Sequence, residues 1–216
     1  MLPLHRHQLA YLGDAGWKHL LDRSWDAEAR ECLSHWAARR LPLVVTRQAN
    51  SGDSISLGLP APARWGRRRL TLNASRTELL YFDEFPLADR ALPLLPAALR
   101  PGWRQLCAGL KALGAPARVY GSFGWQLLSG LDHLRDGSDI DLCLSVTDAE
   151  QADAAAVLLQ AFPESRVRID GELVLDDGRA AAWREWQMWR SGRVRHLLLK
   201  SIDGSGLVEA PMVQAA

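Results

Sequence analysis

The chain has 216 residues, 48% hydrophobic and 24% charged, with a formal net charge of +1. That length can bury the core of one large domain or two small ones, and the near-neutral balance provides no global field to draw in nucleic acid or a membrane surface. The three cysteines, Cys32, Cys107 and Cys143, are odd in number and widely spaced, which gives neither a disulfide framework nor a CxxC metal site.

The N-terminal MLPLHRHQLAYL lacks the long apolar core of a signal peptide. No run approaches the roughly eighteen apolar residues that a membrane span needs. The expectation is a cytoplasmic protein without a membrane partner. Only Lys18, Lys111 and Lys200 of the cationic residues are lysines; the others are arginines, which suit bidentate phosphate binding and equally reflect a codon bias.

In chain order, Asp26 to Arg39 reads as a helix capped by Asp26, with Cys32, Leu33 and Trp36 at helical spacing. Pro42 breaks it. Leu43 to Thr46 and Ser54 to Leu59 read as strands, the second stopped by Pro60 and Pro62, and Leu70-Thr71-Leu72 continues an alternating run after Arg67-Arg68-Arg69. Prolines 86, 93, 96 and 101 mark a connector near residues 85–100. The division expected from it is an N-terminal domain over 1–90 and a catalytic domain over 91–216. After the connector, Trp103 to Leu113 reads as a helix ending at Gly114, and Arg118 to Tyr120 as a short strand. Phe123 to Ser129 reads as a helix, Asp139 to Val146 as a strand, and Asp148 to Phe162 as a helix capped by Asp148. Arg166 to Ile169, Leu173 to Leu175, Ala180 to Trp186 and Arg195 to Leu199 read as further strands. The fold class expected is α+β: helices on a mixed sheet in the C-terminal half, and a smaller N-terminal α/β domain.

Two local patterns carry chemistry. In Tyr120-Gly121-Ser122-Phe123-Gly124-Trp125 a strand ends in Gly-Ser and a helix begins at once. Gly121 permits a sharp turn and a close backbone approach, and Ser122 offers a hydroxyl and a cap for the helix. The first N–H groups of a helix lack intrahelical partners and accept an anion such as a triphosphate. In Ser138-Asp139-Ile140-Asp141-Leu142, residues two apart on a strand share a face, so Asp139 and Asp141 project together. Adjacent carboxylates repel unless a cation lies between them or one is protonated. Hard oxygen donors suit Mg²⁺, as one ion or two. Each pattern alone also has a plain structural reading, as a capped turn or a solvated strand end.

Gly-Ser followed by Asp-x-Asp on the next strand resembles the polymerase-beta-type nucleotidyltransferase superfamily. That resemblance implies phosphate binding by Gly121 and Ser122 and metal binding by Asp139 and Asp141. The gap between the two motifs is longer than in compact members, which points to a specialised branch. Over most of the chain the sequence is similar to the phosphoribosyl-dephospho-CoA transferases (holo-acyl-carrier-protein synthases) of malonate decarboxylase. The residues that carry this are Arg118 to Gln126, Leu131, Ser138 to Leu142, Arg168 to Glu172, Ala182 to Trp186, Arg39 to Val45 and Leu57 to Pro60. The family implies transfer of 2′-(5″-phosphoribosyl)-3′-dephospho-CoA from its triphosphate precursor to a serine of the apo acyl carrier protein, with pyrophosphate leaving. A third carboxylate normally completes such a site as a metal ligand or proton acceptor. Asp170 is the first candidate and Glu172 the second; Asp170-Gly171 also reads as a hairpin turn.

Other residues have two readings each. Lys200 reaches a phosphate or ends a strand in solvent. Arg166 and Arg168 contact phosphate or form surface ion pairs. Arg67-Arg68-Arg69 is a solvated face or meets an acidic carrier protein. His5 and His7 alternate as a metal pair would, but no third ligand is visible; Trp183, Trp186 and Trp189 recur three apart as packing or as a stacking platform. The rival functions are a nucleotidyltransferase with another acceptor (the citrate lyase carrier protein, another protein, a small molecule or RNA) and a nucleotide-binding protein without turnover.

Overall fold

The computed structural model describes residues 4–48, 52–163 and 167–209. The chain forms two sheets flanked by helices, an α+β fold. The first sheet is five-stranded and antiparallel, in the order β4-β3-β2-β1-β5: β1 Leu9–Leu12, β2 Leu43–Val45, β3 Ser54–Pro60, β4 Arg69–Ser75 and β5 Leu79–Asp83. Helices α1 Asp14–Leu21 and α2 Ala27–Ala38 lie between β1 and β2 in the chain. The α2 helix forms where its pattern says it should. Asp26 accepts from the Ala29 amide at 2.9 Å, and Ala29, Cys32, Leu33 and Trp36 form the buried face. It stops at Arg40, whose φ is +50°, where the Leu41 amide folds back to Trp36 O at 3.0 Å.

The second sheet is six-stranded and mixed, in the order β11-β10-β9-β8-β7-β6. Its strands are β6 Arg118–Val119, β7 Ile140–Ser145, β8 Ile169–Val174, β9 Ala180–Ala182, β10 His196–Lys200 and β11 Ser205–Glu209. Only β7 and β8 pair in parallel, and α5 Ala149–Gln160, capped by Asp148 through the Gln151 amide, makes the crossover between them. Helices α3 Arg100–Ala112, α4 Gly121–Ser129 and α6 Trp183–Arg190 complete this half.

The sheets have separate hydrophobic clusters. The changeover falls in the proline-rich connector: Phe85 packs with the first cluster, and Ala88, Ala91 and Leu95 with the second. Trp103 is fully buried in the second, and its indole N–H donates to Ala88 O at 2.9 Å. Several links tie the halves together, among them the following. Trp125 of α4 is buried in the first cluster, edge-on to Phe85, and Arg67 donates to the carbonyls of His133 and Leu134.

The expected strand Ala180 to Trp186 is corrected: β9 ends at Ala182 and α6 begins at Trp183. The three-residue recurrence of tryptophans is therefore helical spacing, and Trp183 and Trp186 are core residues. The strand expected over Arg166 to Ile169 instead begins at Ile169 and runs through the second expected strand to Val174; Arg166 lies outside the described residues. Asp170-Gly171 is thus strand interior, not a hairpin turn. Gly171 has φ +142°, and a Cβ there would collide with the Leu142 backbone, so glycine lets β8 lie flush against β7.

His133 sits where the halves meet, against Trp36 and Trp125. Its Nε2 donates to Ser129 Oγ at 3.1 Å, because that hydroxyl already donates to Trp125 O. Burial, assisted by the Arg67 charge, pushes its pKa down to about 4. A histidine depressed from its unfolded value contributes stability above about pH 6.5 that is lost as pH falls through about 4. Thermal melts should show the native chain losing stability relative to His133→Gln over that window. A difference independent of pH would overturn the buried neutral assignment.

Candidate active site

The centre is built where β6 hands over to α4 beside β7. The Tyr120 amide donates to Asp141 O at 2.9 Å, so the chain turns directly over the acidic strand. Gly121 makes the turn at φ +58°, and a Cβ there would run into the Asp141 carboxylate. Tyr120, not Ser122, occupies the N-cap position of α4, and no side chain caps the helix. Ser122 lies inside the first turn, where amide N–H groups have no intrahelical partner.

On β7, Ile140, Leu142 and Leu144 are buried in the core and Asp141 lies on the other face. The parallel register sets Asp170 directly beside Asp141. Burial and then the charges of Asp170, Asp139 and Glu172 push the Asp141 carboxyl up to about 6. Asp139, just before β7, is held differently. The Arg168 guanidinium grips both its oxygens, at 3.1 and 2.9 Å, and that hydrogen bond lowers its pKa.

Glu172, two residues beyond Asp170, is 4% exposed and is already saturated. Its Oε1 accepts from Lys200 Nζ at 2.9 Å and from Arg6 at 3.1 Å, and its Oε2 lies 2.9 Å from His7 Nε2. Burial would raise its pKa, but the His7 hydrogen bond and the Lys200 and Arg6 contacts outweigh it and hold the carboxyl at about 2. Asp170 thus stands beside Asp141 while Glu172 anchors a cationic cluster. Lys200 is a partner of that cluster and is absent from the cavity lining.

A cleft of about 550 Å³ opens over the Gly-Ser turn. Leu57, Leu59, Leu70 and Trp125 give it an apolar wall, while Gly121, Ser122, Asp141, His7 and Arg69 supply polar groups. Its lining thus pairs an apolar wall with backbone, hydroxyl, imidazole, guanidinium and carboxylate groups, the mixed make-up of a small-molecule site. Sequence pattern located the turn and the aspartates. It missed the wall from β3 and β4 and the N-terminal pair Arg6 and His7, since no local periodicity links residues so far apart in the chain. One local signal was there: the alternation of Leu57 and Leu59 with Leu70 and Leu72 marks strands whose faces must be covered by something.

His5 and His7 do not share a site: His5 pairs with Glu84 and His7 with Glu172, each at 2.9 Å. The three adjacent arginines also diverge. Arg68 pairs with Asp26, Arg67 binds the 133–134 carbonyls, and Arg69 lines the cleft. Carboxylates crowded beside the Gly121-Ser122 turn are hard oxygen donors of the kind a divalent cation takes, although among the described residues no three ligating side chains are gathered into a ready-made cage; Asp139 is turned to Arg168 instead.

A glycine-serine helix entrance facing paired strand aspartates in a mixed-polarity cleft is the equipment of a group-transfer enzyme acting on a phosphorylated substrate. The family comparisons agree. Residues 5–83 match the N-terminal domain, and residues 86–211 the C-terminal domain, of phosphoribosyl-dephospho-CoA transferase MdcG. The chain belongs to this family of transferases. It is 34% identical to the phosphoribosyl-dephospho-CoA transferase of Xanthomonas euvesicatoria pv. vesicatoria, across 91% of this chain and 90% of that protein. It is 33% identical to the Bradyrhizobium diazoefficiens enzyme of the same name, across 93% and 88%. A shorter alignment to the Pseudomonas aeruginosa enzyme, covering 54% and 55%, reaches 40%. No solved structure matches the chain significantly. No helix among the described residues is long and apolar enough to cross a membrane.

Proposed function

We propose that this protein, working in the cytoplasm, transfers 2′-(5″-phosphoribosyl)-3′-dephospho-CoA from 2′-(5″-triphosphoribosyl)-3′-dephospho-CoA to a serine of the apo acyl carrier protein of malonate decarboxylase. Pyrophosphate leaves. The observation that carries the reading is the cleft, which sets the Gly121-Ser122 turn and Asp141 against an apolar wall from the N-terminal sheet.

In this reading the first-turn amides of α4 and the Ser122 hydroxyl hold the triphosphate, and the apolar wall takes the nucleoside portion. Asp141 and Asp170 would hold Mg²⁺, joined by Asp139 once Arg168 releases it; the cation, when bound, neutralises charge that builds on the leaving pyrophosphate. Catalysis is largely positioning and charge stabilisation.

Incubation of the enzyme with the precursor, Mg²⁺ and apo carrier protein should add the mass of the prosthetic group to one serine. The malonate decarboxylase and citrate lyase carrier proteins serve as parallel acceptors. Turnover with ordinary nucleoside triphosphates alone would overturn the reading, and binding without pyrophosphate release would favour a protein that binds nucleotide without turnover.

A further inference from the structure

We propose that His7, supplied by the N-terminal domain, accepts the proton from the attacking serine hydroxyl. The inference deepens the transfer reaction proposed above and rests on it.

Three observations place His7 at the reaction. First, it lines the same cleft as Gly121, Ser122 and Asp141. Second, its ring is fixed on two sides: it stacks on Tyr120 at 4.0 Å between centroids, and Nε2 meets Glu172 at 2.9 Å. Third, its backbone has φ +62°, a left-handed conformation uncommon outside glycine.

The Glu172 contact also decides the tautomer. Glu172 is ionised, with Lys200 on its other oxygen and Arg6 reaching both, so it can only accept hydrogen bonds. The proton of a neutral imidazole must then lie on Nε2. Nδ1 keeps its lone pair, and it has no hydrogen-bond partner among the described residues. A base oriented by a carboxylate on its far nitrogen is the arrangement used to activate hydroxyl nucleophiles.

The step balances. The serine Oγ–H proton passes to His7 Nδ1 as the Oγ–P bond forms at the α-phosphorus. The bond from that phosphorus to the pyrophosphate oxygen breaks, and pyrophosphate leaves with the electron pair. The imidazolium then returns its proton to water. Glu172 acts through His7 as a positioning residue. Asp170 is left to its place beside Asp141.

Two variants test this without threatening the fold, because glycine and asparagine both tolerate a positive φ. His7→Gly should lower kcat for carrier-protein modification about 10²- to 10³-fold, with precursor binding measured by calorimetry nearly unchanged. Added imidazole should restore roughly tenfold or more of the rate by filling the vacated space. His7→Asn retains a donor for Glu172 but accepts no proton, so it should be as slow as His7→Gly. Near-native kcat in either variant would overturn the proposal. So would loss of precursor binding with no response to imidazole. If the native enzyme modifies no carrier protein at all, the parent reading fails instead.

Discussion

Asp141→Asn should abolish transfer while making the metal-free protein more stable. The carboxylate is largely enclosed and faces Asp170, Asp139 and Glu172, which together raise its pKa to about 6. Holding it ionised at neutral pH therefore costs the fold on the order of 2 to 3 kcal/mol. The amide is nearly isosteric and removes that cost, so the melting temperature should rise by several degrees, at roughly 2–4 °C per kcal/mol for a chain of this size. In the proposed mechanism the same change removes a charged ligand of the cation, and kcat should fall about 10³-fold or more. Mg²⁺ should stabilise the native chain in a thermal melt and leave Asp141→Asn unmoved. Full activity, or the same Mg²⁺ response in both, would overturn the proposal that Asp141 is a metal ligand. Asp139→Asn makes a useful contrast. Its carboxylate is compensated by Arg168, so its loss should yield no such gain in stability.

The sequence made the site partly legible because two of its parts are local. A glycine that must turn and two carboxylates two residues apart on an apolar strand can be read from neighbours alone. The helices with a side-chain cap and one apolar face, α2 and α5, were legible for the same reason. Short elements whose form depends on packing were not. The Ala180–Ala182 strand runs directly into the helix from Trp183, whose tryptophans alternate with Arg, Glu and Gln, and no capping residue or proline marks the border between them. The strand that carries Asp170 was hidden by Gly171, which resembles a turn in sequence but serves a close strand approach in space.

The least legible part is the cluster around Glu172. Sequence put Asp170 ahead of Glu172, two residues on, but had no means of assigning them different partners. What distinguishes them is a long-range contact: Arg6 and His7 come from the opposite end of the chain and occupy Glu172, while the β7–β8 register delivers Asp170 to Asp141. Electrostatic partnership over such separation has no periodic signature. The place of the N-terminal sheet was obscure for a related reason, since its wall of the cleft is assembled from residues of β3 and β4 that face Trp125 of α4 only in the folded chain.

Gly121→Ala should be among the most damaging single changes available. Two penalties coincide there. The left-handed φ of +58° costs an L-residue about 1–2 kcal/mol. The added methyl also meets the Asp141 side chain, which has little freedom to retreat because the Tyr120 amide binds the carbonyl of the same residue. Overpacking of that kind adds roughly 1–3 kcal/mol. The total, about 2–5 kcal/mol, predicts a melting temperature lower by on the order of 5–15 °C, and displacement of the turn proposed to hold the triphosphate should reduce kcat more than about 10²-fold. Gly192→Ala separates the two penalties: it has φ +71° with open space around the added atom, so it should show only the conformational cost and keep full activity. Asp141→Ala then tests the collision itself. In the Gly121→Ala background it removes the carboxylate that the methyl strikes, so the double variant should melt higher than Gly121→Ala alone, by more than Asp141→Ala stabilises the native chain. Additive effects would mean that the methyl is accommodated elsewhere and that the turn, not its contact with Asp141, requires glycine.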